Sequence, residues 1–323
     1  MVVALPAMDR NSSDSGRGYV VPSLDHRGPQ GWPRVQAVRS RAVPVLRQLR
    51  PGERLADELL RLCAETGAEA GFAELFGGSL APLHYCVPDG PDEERCVSFS
   101  EERVTAHGDL LLGSATIGRR QGKPFVHAHL HWTDEQGRPL GGHIWPDTVV
   151  GSPAPTAAVF GLPDAAWTSR DDPETSMPTF TPSVPDRPQE DTMTDLRIPD
   201  SRPGQAPPVT VARLLPNQDI TEAVVGACRE AGIRRAVVRA GLGSLIGARF
   251  RRPDGSVAEV DGPGTEVISL TGFVEPTGAQ LTCTLVDRHG QVCSGLLIPG
   301  QNPVAVTFEL TLQPVPAEAE AEA

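Results

Sequence analysis

The amino-acid sequence predicts an α+β fold with two repeated domains, each a mainly antiparallel β-sheet with a packed helix. Three observations lead to this prediction. Two segments of the 323-residue chain resemble each other, each contains one stretch whose apolar residues follow a helical period, and strand and turn signals follow that stretch in both copies. A chain of this length has room for two ordinary domains.

The internal repeat relates residues 46–80 to residues 212–245. Both segments run from a short extended piece to a helix, then to a strand and a Gly-Ser-Leu turn. Cys63 matches Cys228, which lies 165 residues further along the chain, and the serines of the two turns are separated by the same distance. Self-similarity at a fixed spacing indicates duplicated structural units.

The predicted helix of each copy has its apolar residues on one face, at a spacing of about 3.6 residues. These residues are Leu55, Leu59, Leu60 and Cys63 in the first copy, and Ile220, Val224, Val225 and Cys228 in the second. Gly67 and Gly232 follow as stop signals, because glycine commonly ends a helix. We therefore expect both cysteines to pack in a core.

The repeat continues in residues 125–144 and 278–297, where the Asp and Gly of a turn recur 153 residues apart. The shorter offset means that the first copy carries about 12 extra residues, which we place near residues 88–95. Each copy then closes on a strand, predicted over residues 156–160 and 304–312.

Composition divides the rest of the chain. Residues 1–33 are rich in Ser, Gly, Pro and Asp and predict a flexible N-terminal arm, and residues 183–207 have the Pro- and Asp-rich composition of a linker. The expected domains are residues 34–182 and 208–315, followed by an acidic tail over residues 316–323.

The acidic composition argues against direct contact with nucleic acid. The formal net charge is −12, whereas affinity for nucleic acid depends on Lys and Arg side chains that neutralise phosphates. Short arginine-containing groups at residues 34–50, 119–120 and 249–252 are interpreted as solvated surface.

The sequence also predicts a cytoplasmic protein without a membrane-spanning segment. It has no run of about 18 apolar residues, no signal-peptide pattern at its start and no Cys-x-x-Cys pair among its six cysteines. Thiols stay reduced in the cytoplasm, so free cysteines are expected.

Three histidines alternate with apolar residues in one predicted strand. His127, His129 and His131 are each two residues apart, so their imidazoles share one face of the strand. A three-residue loop that ends at Gly137 would place His129 opposite His143 across a hairpin. Glycine suits the left-handed conformation that such a loop needs at its third position.

Three neutral imidazoles that converge in this way form a zinc-type site with an open fourth position, the usual pattern of catalytic zinc. The predicted ligands are His127, His129 and His143, and the expected cofactor is a divalent metal ion, with zinc preferred. Five of the chain's eight histidines fall between positions 107 and 143, which argues against chance clustering. His131 is left open as a fourth ligand, a proton carrier or an interface partner, with direct ligation disfavoured.

The second copy lacks the histidine set. The four matching positions hold Gln280, Thr282, Thr284 and Leu296. That set does not form a transition-metal site. We therefore expect the second copy to be structural or to supply a wall of the site. Beside His143, the small residues Gly141 and Gly142 leave room for another group to approach.

These residues resemble the pattern of the PPC domain family, the plants-and-prokaryotes-conserved domain. The pattern stands here as His127-Ala128-His129, then Asp134 and Gly137, then Gly141-Gly142-His143. The Pro-Gly-Glu at residues 51–53, the Gly-Ser-Leu turns and residues 300–310 fit as well. The resemblance covers about residues 46–182 and 208–314.

The resemblance implies a tandem bacterial member of the family, with an α+β domain that usually assembles as a trimer. In plant members a separate basic segment, Arg-Gly-Arg-Pro, contacts DNA, and this chain has no such segment. At the level of the fold, the chain is also similar to acetolactate decarboxylase and to a related zinc-dependent ester hydrolase. Both hold a metal through a His-x-His pair and a later histidine, which adds an enzyme to the candidates.

The preferred function is a metal-dependent enzyme that acts on a small oxygenated or carboxylate molecule, as a lyase of the decarboxylase type, an isomerase or a hydrolase. The candidate acid–base residues are Glu74, His131 and Tyr85. The candidate residues for binding a substrate carboxylate are Arg119, Arg120 and Arg239. Cys86 and Cys96 flank the extra loop and could line a pocket. For Glu74 and each arginine, an exposed surface position is the simpler interpretation.

The alternative is a non-catalytic scaffold or regulator, related to PPC DNA-associated proteins, whose metal holds subunits together. A small-molecule sensor is a third and weaker candidate. Histidines in one copy alone favour the enzyme, because duplication followed by loss leaves one active centre and one supporting domain. For every candidate we expect a trimer-based homo-oligomer.

Overall fold

The computed structural model describes residues 19–185 and 206–316 of the chain. It confirms an α+β fold in which antiparallel strands dominate. The first described range contains β1 (Val35–Arg41), β2 (Val43–Gln48), α1 (Leu55–Glu65), β3 (Gly71–Phe76), β4 (Ser79–Leu80), β5 (Leu83–Cys86), β6 (Pro88–Asp89), β7 (Ser98–Phe99), β8 (Arg103–Thr105), β9 (Gly108–Arg120), β10 (Lys123–Asp134), β11 (Pro139–Ile144), β12 (Thr156–Gly161), β13 (Ala166–Asp171) and β14 (Pro178–Ser183). The second contains β15 (Pro208–Leu214), α2 (Ile220–Glu230), β16 (Ala236–Leu245), β17 (Ala248–Arg251), β18 (Val257–Val260), β19 (Thr265–Glu275), β20 (Gly278–Val286), β21 (Val292–Leu297) and β22 (Val304–Pro314).

Two large sheets account for most of these strands. The first repeat forms an eleven-stranded sheet whose main path is β2-β12-β3-β9-β10-β11-β5-β8; β4 and β13 also pair with β9, and β14 pairs with β13. The second repeat forms a nine-stranded sheet in the order β1-β15-β22-β16-β19-β20-β21-β17-β18. In both repeats the helix follows one strand and precedes the next, as the repeated sequence pattern predicts. Among the described residues, neither helix has the length and apolar character needed to cross a lipid bilayer.

Both helices lie where the sequence periodicity places them. Asp219 caps α2, and its carboxylate accepts hydrogen bonds from the N–H groups of Thr221 and Glu222. Gly67 and Gly232 follow the helix ends at φ 78° and 68°, a left-handed conformation that glycine adopts without strain. The predicted stop signals therefore act as helix ends.

The buried faces of the helices match the prediction with one change. In α1 the buried apolar residues are Leu55, Leu59, Leu62 and Cys63. The predicted Leu60 is only half-buried, because positions i, i+4 and i+7 form one stripe and position i+5 lies at its edge. Burial raises the pKa of Cys63 to about 12 and that of Cys228 to about 11. Both cysteines are core residues, as predicted.

The extra residues of the first repeat lie between β5 and β8. Residues 87–102 make this connection, whereas residues 252–256 suffice between β17 and β18. The longer loop contains the small β6–β7 ladder and includes the predicted position. It also reaches the second repeat, because Val97 is buried against Gly264, where any added side chain would collide with it.

The first strand of the chain belongs to the sheet of the second repeat. β1 pairs with β15 from Val35 opposite Leu214 to Arg41 opposite Pro208. The next strand, β2, pairs with β12 in the other sheet. One short connection at Ala42, which is itself buried, therefore ties the two sheets together.

Part of the predicted flexible arm is bound to the folded body. Residues 19–33 contain no helix or strand, yet the N–H of Leu24 donates to the side chain of Asn217 at 2.8 Å. Nε2 of His26 donates to the carbonyl of Ala305 at 2.8 Å. These contacts attach residues 19–33 to the second repeat, and the flexibility of the arm stays a prediction from composition. Residues 1–18 of that arm and most of the predicted linker lie outside the described residues.

The β13–β14 hairpin, which was not predicted from the sequence, adds two buried ion pairs, one to the second repeat and one to the segment that leads into β1. In its turn, Asp172 Oδ2 lies 2.5 Å from the guanidinium of Arg213, and both side chains are buried. Glu174, which is in the same turn, lies 2.7 Å from Arg34, the residue before β1. Because a buried charge requires a partner, these pairs fix how the hairpin meets the second repeat.

The two sheets meet through the faces that carry no helix. On the helix side of the first repeat lie Ala115, Ile117, Ala128 and Leu130. The alternate residues of β10, including His127 and His129, point to the opposite face and contact the second repeat. In β22, Phe308 and Leu310 pack in the core around α2, and Glu309 between them faces the first repeat.

Glu58 in α1 holds a small charge network at the helix start. The side chain is fully buried, and it accepts hydrogen bonds from the Arg50 backbone N–H, from the Arg50 guanidinium at 2.8 Å and from Arg61 at 2.9 Å. The hydrogen bonds from Arg61, followed by those from Arg50, lower the pKa of Glu58 from 4.5 to about 2, although burial alone would raise it.

We expect Glu58→Gln to reduce the free energy of unfolding by about 1–2 kcal/mol at neutral pH. The wild-type pKa is lower in the folded state than in the unfolded state. The advantage is therefore full above about pH 4.5 and is lost as the pH falls toward 2. Urea denaturation of both proteins across this range measures the effect. Asp57→Asn, at an exposed position of the same helical turn, is the control and should show little loss. A pH-independent difference would contradict the assignment.

Candidate metal centre

The predicted hairpin carries the histidines. β10 and β11 pair with His129 opposite His143, and Gly137 ends the three-residue loop at φ 73°. Across the loop, the N–H of Asp134 donates to the carbonyl of Arg138 at 3.0 Å. The strand register derived from the sequence is confirmed.

The three imidazoles meet at one place. Nε2 of His127 lies 3.1 Å from Nε2 of His129, which lies 3.3 Å from Nδ1 of His143. One nitrogen from each ring falls within 4.8 Å of the other two, a grouping that could hold a metal ion. His129 is fully buried, and the other two histidines are half-buried.

Hydrogen bonds to the second repeat orient two of the rings. Nδ1 of His129 donates to the carbonyl of Val267 at 2.7 Å, and Nδ1 of His127 donates to the carboxylate of Glu309 at 3.1 Å. A proton on Nδ1 leaves the lone pair of a neutral imidazole on Nε2, the atom that faces the cluster. Such outer hydrogen bonds are typical of metal-binding histidines.

Two buried glutamates of the second repeat stand beside the histidines. Glu309 of β22 has a side chain that is 1% exposed. Glu266 of β19 places Oε2 at 2.5 Å from Nε2 of His129, with a side chain that is 5% exposed. The second copy was expected either to be structural or to supply a wall of the site. The positions of Glu309 and Glu266 match the second role.

Neither glutamate was predicted from the sequence. The positions of the second copy that match the histidines hold Gln280 and Thr282, whereas the contacting glutamates lie on other strands. A buried Glu flanked by apolar residues, as in the sequence Phe-Glu-Leu around Glu309, is the signal that could have indicated an inward-facing carboxylate.

The local charges favour neutral imidazole at His143 and ionised carboxylate at Glu309. Burial, with the neighbouring His127 and His129, holds the pKa of His143 well below its ordinary value. Burial alone would raise the pKa of Glu309, but the nearby His127 and the hydroxyl of Thr116 bring it below its ordinary value. Burial also lowers the pKa of His129, but Glu266, the carbonyl of Val267 and Glu309 together more than offset this effect, so that the net shift is upward.

The donor set fits a divalent transition metal. With metal–nitrogen bonds of about 2.0–2.1 Å, two nitrogens of a tetrahedral zinc ion lie about 3.3 Å apart. The separations of 3.1 and 3.3 Å at His129 agree with this spacing. Imidazole is a preferred ligand for zinc and its neighbours in the first transition row. His127, His129 and His143 are therefore suited to hold the ion.

His131 lies on the same strand but outside the group of three. Its Nδ1 donates to the carbonyl of Leu140 at 2.8 Å. Burial lowers its pKa below the ordinary value, and the bond to Leu140 offsets this only in part. The lowered pKa favours a neutral His131 ring, one nitrogen of which is engaged in a hydrogen bond.

Glu74 and Arg239 bind each other across the boundary between the repeats. Their atoms form two hydrogen bonds of 2.7 and 2.6 Å, and the guanidinium lies over the ring of Phe160. In the first sheet, His129, Ser114 and Glu74 stand opposite one another on adjacent strands. Glu74 is thus on the histidine face but two strands away, roughly 10 Å.

Tyr85 lies on the other face of the sheet from the histidines. It stands opposite Ile144, whereas His143 stands opposite Cys86, and directly opposed residues share a face. The Tyr85 ring packs edge-on against Trp132 at 4.7 Å in the core. The structure therefore separates Tyr85 from the cluster and brings Cys86 beside it. Burial raises the pKa of Cys86 to about 12.

The remaining candidates already have partners elsewhere. Arg119 pairs with Glu69 at 3.0 Å, and Arg120 lies 3.9 Å from Asp171. The thiol of Cys96 contacts the carbonyl of Asp25. The structure does not bring these three residues to the histidines.

The second repeat fills the space that Gly141 leaves. A Cβ added there would lie 2.6 Å from Cδ1 of Ile268 and 3.3 Å from Cβ of Val286. At Gly142 the neighbour is the backbone of Cys86, with 2.5 Å between the added Cβ and the carbonyl oxygen. The groups that approach the two glycines are therefore parts of the protein itself: side chains of the second repeat at Gly141 and the backbone of the first repeat at Gly142.

The fold and the cluster define a tandem α+β protein with three converging histidines in its first repeat. The family model of the Plants and Prokaryotes Conserved (PCC) domain matches residues 38–158 and 201–316. The chain belongs to this family, the PPC family that its histidine pattern resembles.

Several known proteins are similar to parts of the chain. The bifunctional protein GlmU of Synechococcus sp. (strain JA-2-3B'a(2-13)) is 30% identical over 112 residues, which are 32% of this chain and 18% of that protein. The chain thus spans less than a fifth of that relative.

Three solved structures also match. A metal-containing protein of Archaeoglobus fulgidus is 20% identical, with 44% of this chain and 97% of that one covered and a TM-score of 0.37. A PPC protein of Pyrococcus horikoshii is 18% identical, with 42% and 89% covered and a TM-score of 0.35. A protein of Ralstonia eutropha JMP134, named as one inferred to bind DNA, is 20% identical, with 43% and 90% covered and a TM-score of 0.31.

We expect Gly141→Ala to lower the free energy of unfolding by about 1–3 kcal/mol, because the added methyl overpacks the contact with Ile268. Ile268→Val removes the colliding methyl and alone should cost about 0.5–1.5 kcal/mol. In the double variant the two losses should not add, since one change relieves the other. Chemical denaturation of the four proteins measures this coupling. Additive losses would show that the two residues do not touch.

Proposed function

We propose that this protein is a metal-stabilised, non-catalytic scaffold or regulator, in which one divalent ion bound by His127, His129 and His143 stabilises the joint between the two repeats. One observation carries the proposal. Two of the three histidines are held by groups of the second repeat, the carbonyl of Val267 and the carboxylate of Glu309. An ion bound at this boundary would favour the docked arrangement over the separated one.

The positions of the acid–base candidates support the same choice. Glu74 is engaged by Arg239, Tyr85 packs in the core on the opposite face, and His131 is bonded to the backbone. General acid–base catalysis needs such a group within hydrogen-bond reach of the reacting atoms. Zinc is the preferred ion, because the donors are imidazoles at tetrahedral spacing.

A metal-dependent enzyme is the second candidate. It is favoured by the half-buried edge of the cluster, where Phe99 lies 5.5 Å from the His143 ring and Trp145, which is 40% exposed, lies 5.9 Å away. A small oxygenated or carboxylate substrate could approach on this side. The ion would there polarise a carbonyl or activate water in a lyase, isomerase or hydrolase reaction, and His131 is the residue nearest in sequence that could carry a proton.

The partners and location that we propose follow from charge and composition. Direct binding to nucleic acid is not part of the proposal, because the net charge of −12 opposes contact with phosphates. The cytoplasm suits a chain whose six cysteines are free thiols. A trimer-based homo-oligomer is proposed from the family resemblance, and light scattering coupled to size-exclusion chromatography measures it.

Elemental analysis of the purified protein tests the metal proposal. We expect about one metal ion per chain in the wild type and a loss of it in His129→Ala and His143→Ala, because each variant removes one of three ligands. His107→Ala, at a half-buried histidine outside the cluster, is the control and should retain the ion.

Thermal unfolding distinguishes the stabilising role. Free metal at about 100 times its Kd should stabilise the folded protein by about 2.7 kcal/mol, and a chelator should lower the Tm accordingly. A wild type that stays free of metal after incubation with zinc, or a Tm that does not respond to zinc, would refute the scaffold proposal. Turnover of a small carboxylate that stops in the His129→Ala variant would favour the enzyme.

A further inference from the structure

Glu266 reaches into the histidine cluster from the second repeat. It lies at the start of β19, and its Oε2 is 2.5 Å from Nε2 of His129. The same nitrogen is 3.1 Å from Nε2 of His127 and 3.3 Å from Nδ1 of His143. A carboxylate oxygen thus contacts the atom at which the three imidazoles meet.

The backbone next to Glu266 determines what His129 presents to it. The carbonyl of Val267 accepts the Nδ1–H of His129 at 2.7 Å. A neutral ring held in this way turns its Nε2 lone pair toward the carboxylate. A nitrogen lone pair and a carboxylate oxygen 2.5 Å apart in a buried place repel each other unless a proton bridges them or a metal ion binds to both.

A proton would satisfy only part of this arrangement. On Nε2 of His129 it would bridge to Glu266 but leave the nearby nitrogens of His127 and His143 without a partner. A divalent cation attracts all of these donor atoms together. It also balances two buried carboxylates, Glu266 and Glu309, whose side chains are 5% and 1% exposed. Three neutral imidazoles, two carboxylates and one divalent ion carry no net charge, which suits a buried site.

We propose that Glu266 is the fourth protein ligand of the ion, so that a centre of three histidines and one glutamate is shared by the two repeats. This inference rests on the metal binding of the proposed function and deepens it. Glu309 acts through His127 and is a positioning residue. A centre with four protein ligands has no position for a substrate, which is the pattern of structural zinc.

Metal titration of the full-length protein, freed of metal by a chelator, tests the ligand assignment. Glu266→Gln should weaken binding of Zn²⁺ and of Co²⁺ by more than about 100-fold, whereas Glu309→Gln should weaken it by about 10–100-fold, the range for residues that act through a ligand. The visible spectrum of bound Co²⁺ should change in the Glu266 variant and stay unchanged in the Glu309 variant, because the spectrum reports the ligand set.

Exogenous anions give a second readout. Azide should leave the Co²⁺ spectrum of the wild type unchanged, because no position is open. In Glu266→Ala it should shift the spectrum, and acetate should restore part of the lost affinity by taking the place of the carboxylate. Azide binding to wild-type Co²⁺ protein would overturn the inference and favour an open, catalytic centre.

The Tm of each metal-free variant controls for folding. It should match that of the metal-free wild type, and only the increase on adding Zn²⁺ should be smaller. If the wild type binds no metal, the proposed function fails with the inference. If the wild type binds Zn²⁺ and Glu266→Gln binds it with the same affinity and the same Co²⁺ spectrum, the inference alone is wrong and the three-histidine site stands.

Discussion

Charged side chains that are buried or half-buried between the two sheets are the constraint on which the rest of the molecule depends. Glu74 meets Arg239, Asp172 meets Arg213, and Glu309 meets His127. A charge in a low-dielectric interior is costly unless it is paired and hydrogen-bonded. The two sheets can therefore slide or rotate only by breaking several pairs at once. The interface specifies one docking geometry, and that geometry brings the second repeat to the histidines.

The structure changes the interpretation of why only the first repeat carries the histidines. From the sequence, histidines in one copy alone suggested an active domain and a supporting one. In the structure the first repeat supplies imidazoles, and the second supplies two carboxylates and a backbone carbonyl. A metal site at the boundary between the repeats can take imidazole ligands from one repeat and carboxylates from the other. Loss of histidines from the second copy is thus compatible with a direct part in the same centre.

Local patterns predicted the elements that depend on neighbouring residues. The helices, their glycine ends and the register that places His129 opposite His143 follow from periodicity and turn chemistry over fewer than 25 residues. Glu266 and Glu309 escaped prediction because they reach the cluster from strands more than 120 residues away. Helix and strand periodicity relates only residues that are close in sequence, so it gives no information about contacts at this separation. For the same reason the alternation of faces, which sends Tyr85 into the core, became visible only with the pairing of β5 and β11.

The pairing of β1 with β15, in the sheet of the second repeat, affects the order in which the chain folds during synthesis. β1 pairs with residues that follow it by 167 to 179 positions. A ribosome adds about 5–20 residues per second, so the segment waits on the order of 10–30 s before its partner emerges. During this time an unpaired strand edge is free to find the wrong neighbour. The nascent polypeptide can close this seam only after residue 214 has been synthesised, so the joint between the two sheets assembles after the whole first repeat has been translated.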